Sequence, residues 1–330
     1  MIIAYPAEKD KSNILSDGLS SPEKYGIIEK TREEVDAVSK QKRADLLLVL
    51  VTAFWGASYY LSDLCLNDLP PLNLTAFRFG SAFILLGIPF WKSLAHINRQ
   101  TLWYSFLVGL ALAGTYVFYG YGLPLTSISN ASFVCALPVV FTPVFDFIIH
   151  RNRPGRNFGI ALIVCTLGLA LLTLGDSLRP AVGDLICLGV PICYSIDLLL
   201  TEKAVNDPAV DPLALGVAQL GVVAVITLAF SLLLEKPHLP TTPASWGAAL
   251  FLGILCTGVA FVIQATQQKY TTATHVGLIF TLEPVFSCIV AFIFANERLS
   301  ARGYIGAELM LFSLIMMEVD FSALFKRKKA

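Results

Sequence analysis

The sequence predicts an all-α integral membrane protein whose ten transmembrane helices form two inverted five-helix repeats. Composition is the first reason, because 55% of the 330 residues are hydrophobic, 15% are charged and the mean hydropathy is +0.68. An ordinary soluble domain has about 25% charged residues, so a lipid-facing surface explains the excess of apolar side chains. The lengths of the apolar stretches and a weak internal repeat are the other two reasons.

The first 45 residues are polar, mixed in charge and interrupted by proline, glycine and serine. They lack the basic start and apolar centre of a cleavable signal peptide. This composition predicts a largely disordered cytoplasmic tail over residues 1–45, with a regulatory or partner-binding segment as the alternative. At the other terminus, residues 321–330 are predicted to form a short basic cytoplasmic tail.

From Leu46 onward the chain is a succession of apolar stretches about 20 residues long, the length that an α-helix needs to cross the hydrocarbon core. Residues typical of turns separate them, as at 67–71 and 236–243. The predicted membrane helices are 46–66, 72–91, 101–123, 130–150, 157–175, 183–203, 213–234, 245–268, 273–295 and 302–320.

The distribution of basic residues predicts the orientation. If the N-terminus is cytoplasmic, the cytoplasmic helix ends carry most of the lysines and arginines near the membrane. The opposite side would carry only Arg179, Lys236, Arg298 and Arg302. Because cytoplasmic loops are enriched in Lys and Arg, both termini are predicted to lie in the cytoplasm, with the protein in the plasma or inner membrane of the cell.

A weak internal repeat relates the two halves of the chain. Its members keep chain order at a nearly constant offset. The matched segments are Asp45–Leu47 with Asp184–Ile186, Asn67-Asp68 with Asn206-Asp207, Pro71-Leu72 with Pro212-Leu213, and Thr142–Phe145 with Glu283–Phe286. Five helices per repeat is an odd number, so the second copy, 183–320, enters the membrane inverted relative to the first, 46–182. Inverted repeats around a midplane site are typical of alternating-access transporters.

The stretch Thr274–Glu297 has spanning length, yet Glu283 and Pro284 lie near its middle. An ionisable group at that depth is costly, so it faces protein or water rather than lipid. Proline removes a backbone donor and clashes with the carbonyl one turn earlier. Helix breaks are therefore predicted at Pro284 and at its repeat counterpart, Pro143.

Several motifs carry a family resemblance. They are Ala53–Ser58 around Trp55-Gly56, Arg78, Gly183-Asp184, Leu282–Phe286 and Asn296–Leu299. Together they resemble the drug/metabolite transporter superfamily of the EamA type over about residues 44–320. The first repeat departs from the pattern, with His150–Arg153 where a glycine-glutamate-arginine turn is common and Thr142 where the second repeat has Glu283.

The resemblance implies a ten-helix permease that moves small polar metabolites such as amino acids, often as an exporter, through a central cavity. Proton coupling remains open, and the motifs name no substrate. Alternatives are a multidrug or lipophilic cation exporter of the same fold, a channel, or a membrane scaffold. The predicted partners are a small-molecule substrate and the lipid bilayer, with no nucleic acid; a monomer and a homodimer both fit an apolar exterior.

Nothing in the sequence indicates catalysis or a cofactor. It contains no HExxH, no nucleophile motif, no cysteine or histidine at metal-ligand spacing and no glycine-rich loop after a strand. The seven cysteines lie in apolar stretches and are expected to fill helix interfaces. The sequence therefore predicts neither an enzyme, nor a metal site, nor a nucleotide-driven pump.

Candidate binding residues are polar or aromatic side chains at inner membrane depths. Glu283 could bind a cationic group or exchange a proton, or else tie the helix break to a neighbouring helix. Arg78 could hold a substrate carboxylate, pair with an acidic residue, or extend outward as a structural arginine. Asp197, with Asp63 in the corresponding part of the first repeat, is either a gate residue or an interfacial one. The remaining candidates for substrate or proton binding are Trp55, Tyr59, Tyr116, Tyr119, Tyr194, Gln264 and His275.

Overall fold

The computed structural model describes residues 22–126, 128–151, 156–173, 182–295 and 301–318, and within these ranges the chain is helical without a strand. Of these described residues, 22–43 and those from Ala44 onward belong to two separate units. In the first half of the chain the helices are α1 (Pro22–Leu66), α2 (Pro71–Gly87), α3 (Trp91–Ala95), α4 (Arg99–Gly122), α5 (Ile128–Cys135), α6 (Pro138–His150) and α7 (Arg156–Thr173).

The second half contains two helices with non-α turns inside their path. A π-helical turn, Ile254–Val259, joins α11 to α12, and a 3₁₀ turn, Phe280–Leu282, joins α13 to α14. The helices of this half are α8 (Val182–Cys187), α9 (Gly189–Val205), α10 (Pro212–Leu234), α11 (Pro243–Gly253), α12 (Ala260–Gln267), α13 (Ala273–Ile279), α14 (Glu283–Ala295) and α15 (Ala301–Glu318).

The first helix begins earlier than the sequence pattern predicts. α1 starts at Pro22, so the second part of the predicted disordered tail is helical here. Residues 22–43 are rich in Glu, Lys and Arg, which have high helix propensity and can continue a helix without an apolar face. Residues 1–21 and the predicted basic tail, 321–330, lie outside the described residues.

Each of the ten predicted membrane stretches contains helix in the described residues. Six continuous stretches there are long and apolar enough to cross a membrane. They are Val38–Leu66, Arg99–Leu125, Val182–Val205, Pro212–Leu234, Pro243–Tyr270 and Ala273–Phe294. Pro138–Ile149 and Gly159–Gly168 are shorter apolar helices. Proline explains part of the shortfall, because Pro138 begins a new helix where one long stretch was predicted.

Helices in equivalent repeat positions pack against each other. α2 packs on α10, and α7 packs on α15. In addition α4, the third helix of the first repeat, packs on α9, which belongs to the first helix of the second repeat. The start of α2 bonds the end of α10, since Glu235 accepts hydrogen bonds from the amides of Leu72 and Asn73 at 3.0 and 2.9 Å. α2 and α10 are therefore antiparallel, as the inversion predicted from the sequence requires of this pair.

At the end where α2 begins, loops from the two halves are joined by a set of hydrogen bonds, named the first clasp. Pro70 cannot cap α2 with its side chain, so Glu235 satisfies the free amides at the helix start. Asp68 accepts from the amide of Thr241 at 2.8 Å and from its hydroxyl at 2.5 Å. These bonds hold the pKa of Asp68 below its usual range. Their stabilising effect is therefore complete above the usual carboxyl range and is lost as the pH falls through the lowered value.

A second clasp joins the two halves at the opposite end, where α4 begins. It consists of hydrogen bonds from Ser93 to Asp211, from Asn98 to the carbonyl of Ala209 and from Gln100 to Asp207. The two clasps have the same connectivity. In each, the loop after the first helix of one repeat bonds the segment after the second helix of the other: 67–70 with 235–241 in the first clasp, and 206–211 with 93–100 in the second. α10 differs from α2 in one respect, because its own Asp211 caps it by accepting from the amide of Leu213 at 2.9 Å.

Gly56 allows α1 and α14 to approach closely beside the predicted helix break. A Cβ at Gly56 would lie 2.5 Å from the Cβ of Phe286 and 2.7 Å from the amide nitrogen of Ser287. A backbone atom cannot move away as the tip of a side chain can. Any larger residue at this position must therefore separate the two helices.

We expect Gly56→Ala to destabilise the protein by about 1–3 kcal/mol, the usual range for overpacking. Gly247→Ala is the matched control, because no atom lies within 4 Å of its Cβ position in α11. In a helix this change stabilises by about 0.5–1 kcal/mol. The melting temperature of the detergent-purified protein should fall for the first variant and not for the second; equal melting temperatures would contradict the close approach.

Candidate functional site

One cavity lies among the helices that hold most of the predicted site residues. It leaves about 60 Å³ accessible to water-sized molecules, enough for a few waters. Its walls come from α1, α2, α4, α5, α9, α12 and α14. The lining residues are Trp55, Ser58, Tyr59, Arg78, Thr115, Tyr116, Tyr119, Cys135, Val190, Tyr194, Phe261 and Glu283.

Arg78 is buried, with 3% of its surface exposed, and it is held from the π-helical turn. Its Nε donates to the hydroxyl of Thr257, and one terminal nitrogen donates to the carbonyl of Cys256 at 3.1 Å. A π-helical turn changes the helical hydrogen-bond register, which makes a main-chain carbonyl available to side chains. The outward-extending arginine considered from the sequence is therefore wrong, because the buried acceptors hold the guanidinium inside.

The Arg78 guanidinium also lies over an aromatic face. Its central carbon is 5.0 Å from the centre of the Tyr116 ring, a cation–π distance. Trp55 shares the arginine's acceptor, donating from Nε1 to the carbonyl of Cys256 at 2.8 Å. Two side chains from α1 and α2 are thus fixed by a single carbonyl of the second half of the chain.

Glu283 is the first residue of α14 and directly follows the 3₁₀ turn. The helix therefore changes from α to 3₁₀ just before Pro284. The Glu283 carboxylate is half-buried, lines the cavity and is a hydrogen-bond partner of the Tyr59 hydroxyl on α1. Among the described residues it makes no ion pair with Arg78 within 4 Å, although both line the same cavity.

The predicted break at Pro143 differs from what the structure contains. α6 runs without interruption through Pro143, and the break lies earlier, at Ala136-Leu137. Pro138 is at the start of α6, where a missing amide costs nothing, so the chain interrupts its helix there instead. Thr142, the counterpart of Glu283, donates its hydroxyl to Ser195 on α9 at 3.1 Å.

Aromatic rings form the rest of the wall. The Trp55 ring centre is 5.8 Å from Tyr194, 5.3 Å from Phe261 and 4.7 Å from Phe280. Tyr59 and Tyr119 meet edge to face at 5.7 Å. Such pairs hold their rings rigidly, so the cavity has a fixed apolar wall with a few polar groups.

Two further candidates lie behind this wall. Tyr194 donates its hydroxyl to Gln264 at 3.0 Å, and Gln264 donates to Asp197 at 3.3 Å. Asp197 is 1% exposed, whereas Asp63 is exposed, so the two aspartates do not form a symmetric pair of gates. His275 lies elsewhere, at the start of α13, with Nε2 3.1 Å from the carboxylate of Asp45.

Sequence reasoning missed several residues of the site. Ser58, Thr115, Cys135, Val190 and Phe261 line the cavity, but such residues are common in any apolar helix. Thr257 and Cys256 hold Arg78 through a hydroxyl and a main-chain carbonyl, and neither leaves a recognisable pattern. No group of three His, Cys, Asp or Glu in the described ranges is arranged to hold a metal ion.

Comparison with known proteins identifies the family. The family model described as "EamA-like transporter family" matches the chain twice, over residues 42–174 and 181–319. The chain belongs to the EamA-like transporter family. This EamA-like protein is therefore a multi-pass membrane transporter, and the resemblance found from its motifs is confirmed.

Curated relatives of this EamA-like transporter match over most of their length. An uncharacterized transporter of Archaeoglobus fulgidus is 23% identical over 281 residues, covering 85% of this chain and 87% of the relative. The uncharacterized transporter YyaM of Bacillus subtilis is 22% identical, covering 82% and 92%. A biotin transporter of Salmonella typhimurium is 23% identical, covering 70% and 78%.

A solved crystal structure has the same fold. It superposes with a TM-score of 0.71 at 18% sequence identity and covers 88% of this chain and 99% of the solved chain. At this identity the likeness extends to the fold alone.

The acceptor role of Thr257 leads to a stability prediction. We expect Thr257→Val to cost about 1–3 kcal/mol, because it keeps the buried shape but leaves Arg78 Nε without its acceptor. Thr266→Val is the control, since that hydroxyl bonds groups of its own helix: it donates to the carbonyls of Val262 and Ile263 and accepts from the side chain of Gln267. Thermal unfolding in detergent should separate the two variants; equal destabilisation would contradict this role for Thr257.

Proposed function

We propose that this EamA-like transporter is a secondary-active carrier of small polar metabolites that contain both a carboxylate and an amine, such as amino acids. The observation that carries the proposal is the presence of Arg78 and Glu283 in one cavity without an ion pair within 4 Å between them. The Arg78 charge acts on Glu283 across the cavity, and a zwitterionic ligand would add a directly bonded countercharge to each residue.

The hydrogen-bonding capacity of Arg78 supports a carboxylate site. Its guanidinium has five N–H donors, and the bonds to Thr257 and Cys256 use two of them. The other donors are suited to the paired oxygens of a carboxylate. Because protein acceptors already fix the position of Arg78, a ligand would meet a preorganised group and would not have to order it.

Glu283 supports the amine site. Its carboxylate faces the cavity beside Tyr59, and the aromatic rings of Tyr116, Tyr194 and Trp55 border the same space. A carboxylate beside aromatic faces suits an ammonium group. Glu283 could equally exchange a proton during the transport cycle, which would couple transport to a proton gradient.

The fold supports alternating access between the two ends of the molecule. The antiparallel packing of α2 on α10 and the equivalent connectivity of the two clasps support ten membrane helices in two inverted repeats, over 46–182 and 183–320. Each clasp would open in one half of the cycle. We further propose that both termini are cytoplasmic, that the protein lies in the cell membrane and that it exports its substrate.

The proposal is tested by counterflow in proteoliposomes with three ligand classes: zwitterionic amino acids, monocarboxylates such as biotin, and monoamines. We expect saturable exchange of a zwitterion. Glu283→Gln should weaken recognition of amine-containing ligands about 10- to 100-fold, the worth of a hydrogen bond to a charged group. Arg78→Lys should weaken recognition of the carboxylate by a similar factor.

Other outcomes favour other functions. Exchange of biotin unaffected by Glu283→Gln would indicate a monocarboxylate carrier, as the name of the Salmonella relative suggests for that protein. Selective exchange of lipophilic cations would indicate a multidrug exporter. Non-saturable flux would indicate a channel, and the absence of any flux would indicate a membrane scaffold that transports nothing.

The clasps lead to a separate prediction about access. In a variant that keeps only Cys135 among the cysteines, Glu235→Ala removes the cap of α2 and should speed thiol labelling from the first-clasp side. Asp207→Ala should speed labelling from the opposite side. Each labelling rate should rise about 10- to 100-fold, because the lost bonds to a charged group are worth about 1.5–3 kcal/mol. Faster labelling from both sides by one variant would contradict a gating role.

A further inference from the structure

A line of buried polar atoms leads away from the cavity. Within the described residues, six buried side-chain oxygens have no hydrogen-bond partner. Four of the six belong to α9 or to the segment that follows α12, between the cavity and the second clasp. These four atoms are Asp197 Oδ1, Thr201 Oγ1, Gln268 Oε1 and Thr271 Oγ1. Buried polar atoms are nearly always bonded, so this concentration of unbonded oxygens marks a polar region that needs a physical explanation.

The four atoms lie on facing sides of two helices. Asp197 and Thr201 are one turn apart on α9, and Gln264 and Gln268 are one turn apart on and just after α12. Gln264 donates to Asp197 at 3.3 Å, and Gln268 donates to the carbonyl of Leu198 at 2.6 Å. Tyr194 connects Gln264 to the cavity at 3.0 Å, so the line runs from the cavity toward the second clasp.

The electrostatic surroundings of Asp197 lack a positive charge. On its own helix the nearest titratable group is Tyr194, and Tyr116 on α4 also interacts with it. No lysine, arginine or histidine of the described residues on α4, α6, α12 or α13, and not Lys269 in the 3₁₀ turn Gln268–Tyr270 that also packs on α9, acts on its carboxylate. On α13, His275 pairs with Asp45 instead. An ionised carboxylate that is 1% exposed and unpaired costs several kcal/mol, so Asp197 requires a cation or a proton.

The hydrogen-bonding groups around Asp197 favour a bound proton over a bound cation. With Asp197 ionised, the hydroxyls of Thr201 and Thr271 could donate to Asp197 Oδ1 and Gln268 Oε1, but the carboxylate charge would still lack a countercharge. A proton on Oδ1 removes that charge and adds a donor, which can bond directly or through a bridging water. A sodium ion would bring no donor and would need more oxygen ligands than these four atoms supply.

We propose that Asp197 binds the coupling proton of this transporter in a site separate from the substrate cavity, and that Thr201, Gln268 and Thr271 connect this site to the second-clasp end. Tyr194 and Gln264 connect the same site to the cavity wall. This inference rests on the proposed carrier function, and it assigns proton coupling to Asp197 rather than to Glu283.

The first test needs no substrate. Infrared spectra of the purified protein near neutral pH should contain the C=O band of a protonated carboxyl group that Asp197→Asn removes. The asparagine amide keeps an acceptor for Gln264 and donates where the acid proton would, so this variant should fold. Asp63→Asn, which changes an exposed aspartate in the corresponding part of α1, should leave the band intact.

Two infrared outcomes overturn the proposal. If the wild-type minus Asp197→Asn difference contains only ionised carboxylate bands, Asp197 carries no proton. If added sodium chloride converts the acid band to a carboxylate band while potassium chloride does not, the site binds sodium.

The second test uses proteoliposomes. Asp197→Asn should lose accumulation driven by an imposed pH gradient, and its counterflow is measured in the same vesicles to separate loss of coupling from loss of transport. Gradient-driven accumulation in this variant would overturn the coupling role. Thr201→Val should slow gradient-driven accumulation while keeping the acid band, and an unchanged rate would overturn the proposed connection. Absence of counterflow in wild type would instead reject the carrier function, and the infrared result would still decide whether Asp197 is protonated.

Discussion

An arginine inside an apolar helical bundle must find acceptors for its donors, and this requirement organises the centre of the molecule. Arg78 finds them at Thr257 and at the carbonyl of Cys256, which the π-helical turn makes available. Trp55 donates to the same carbonyl. Without the π-helical turn, Arg78 would have to leave the interior or remain unsatisfied at a cost of several kcal/mol. The cavity wall therefore depends on a local irregularity in one helix of the second half.

The two repeats share a fold but differ in chemistry. Glu283 is matched by Thr142, which forms only a neutral hydrogen bond to Ser195. Asp197 is matched at the offset of the repeat by Ser58, which is also buried but neutral. The two repeats are thus alike where their helices must pack antiparallel, as in α2 and α10. The carboxylates Glu283 and Asp197, in contrast, occur in the second repeat only. A carrier with this arrangement has one site and two routes to it.

Much of the fold and part of the site follow from the sequence. Burying a charged side chain or a tyrosine hydroxyl deep in an apolar stretch costs free energy, so such residues are unusual there. For this reason Arg78, Glu283, Tyr116 and their neighbours could be predicted from the sequence. Thr257 could not, because a threonine that accepts a hydrogen bond looks like one that packs. The π-helical turn and the uninterrupted path of α6 through Pro143 depend on neighbouring helices, and apolar periodicity contains no information about them.

The helices α10 and α2 are capped by residues from different places, and this gives the two ends of the molecule different physical properties. α10 carries its own cap in Asp211, so its first turn stays satisfied whatever the other half does. α2 borrows Glu235 from the other half, so separating the halves at that end exposes bare amides that only water can satisfy. Opening there is inseparable from hydration, and osmolytes that withdraw water should therefore oppose opening at this end more than at the other. In the proposed alternating-access cycle, an approximately symmetric fold would thereby acquire a solvent-dependent preference for one side of the membrane.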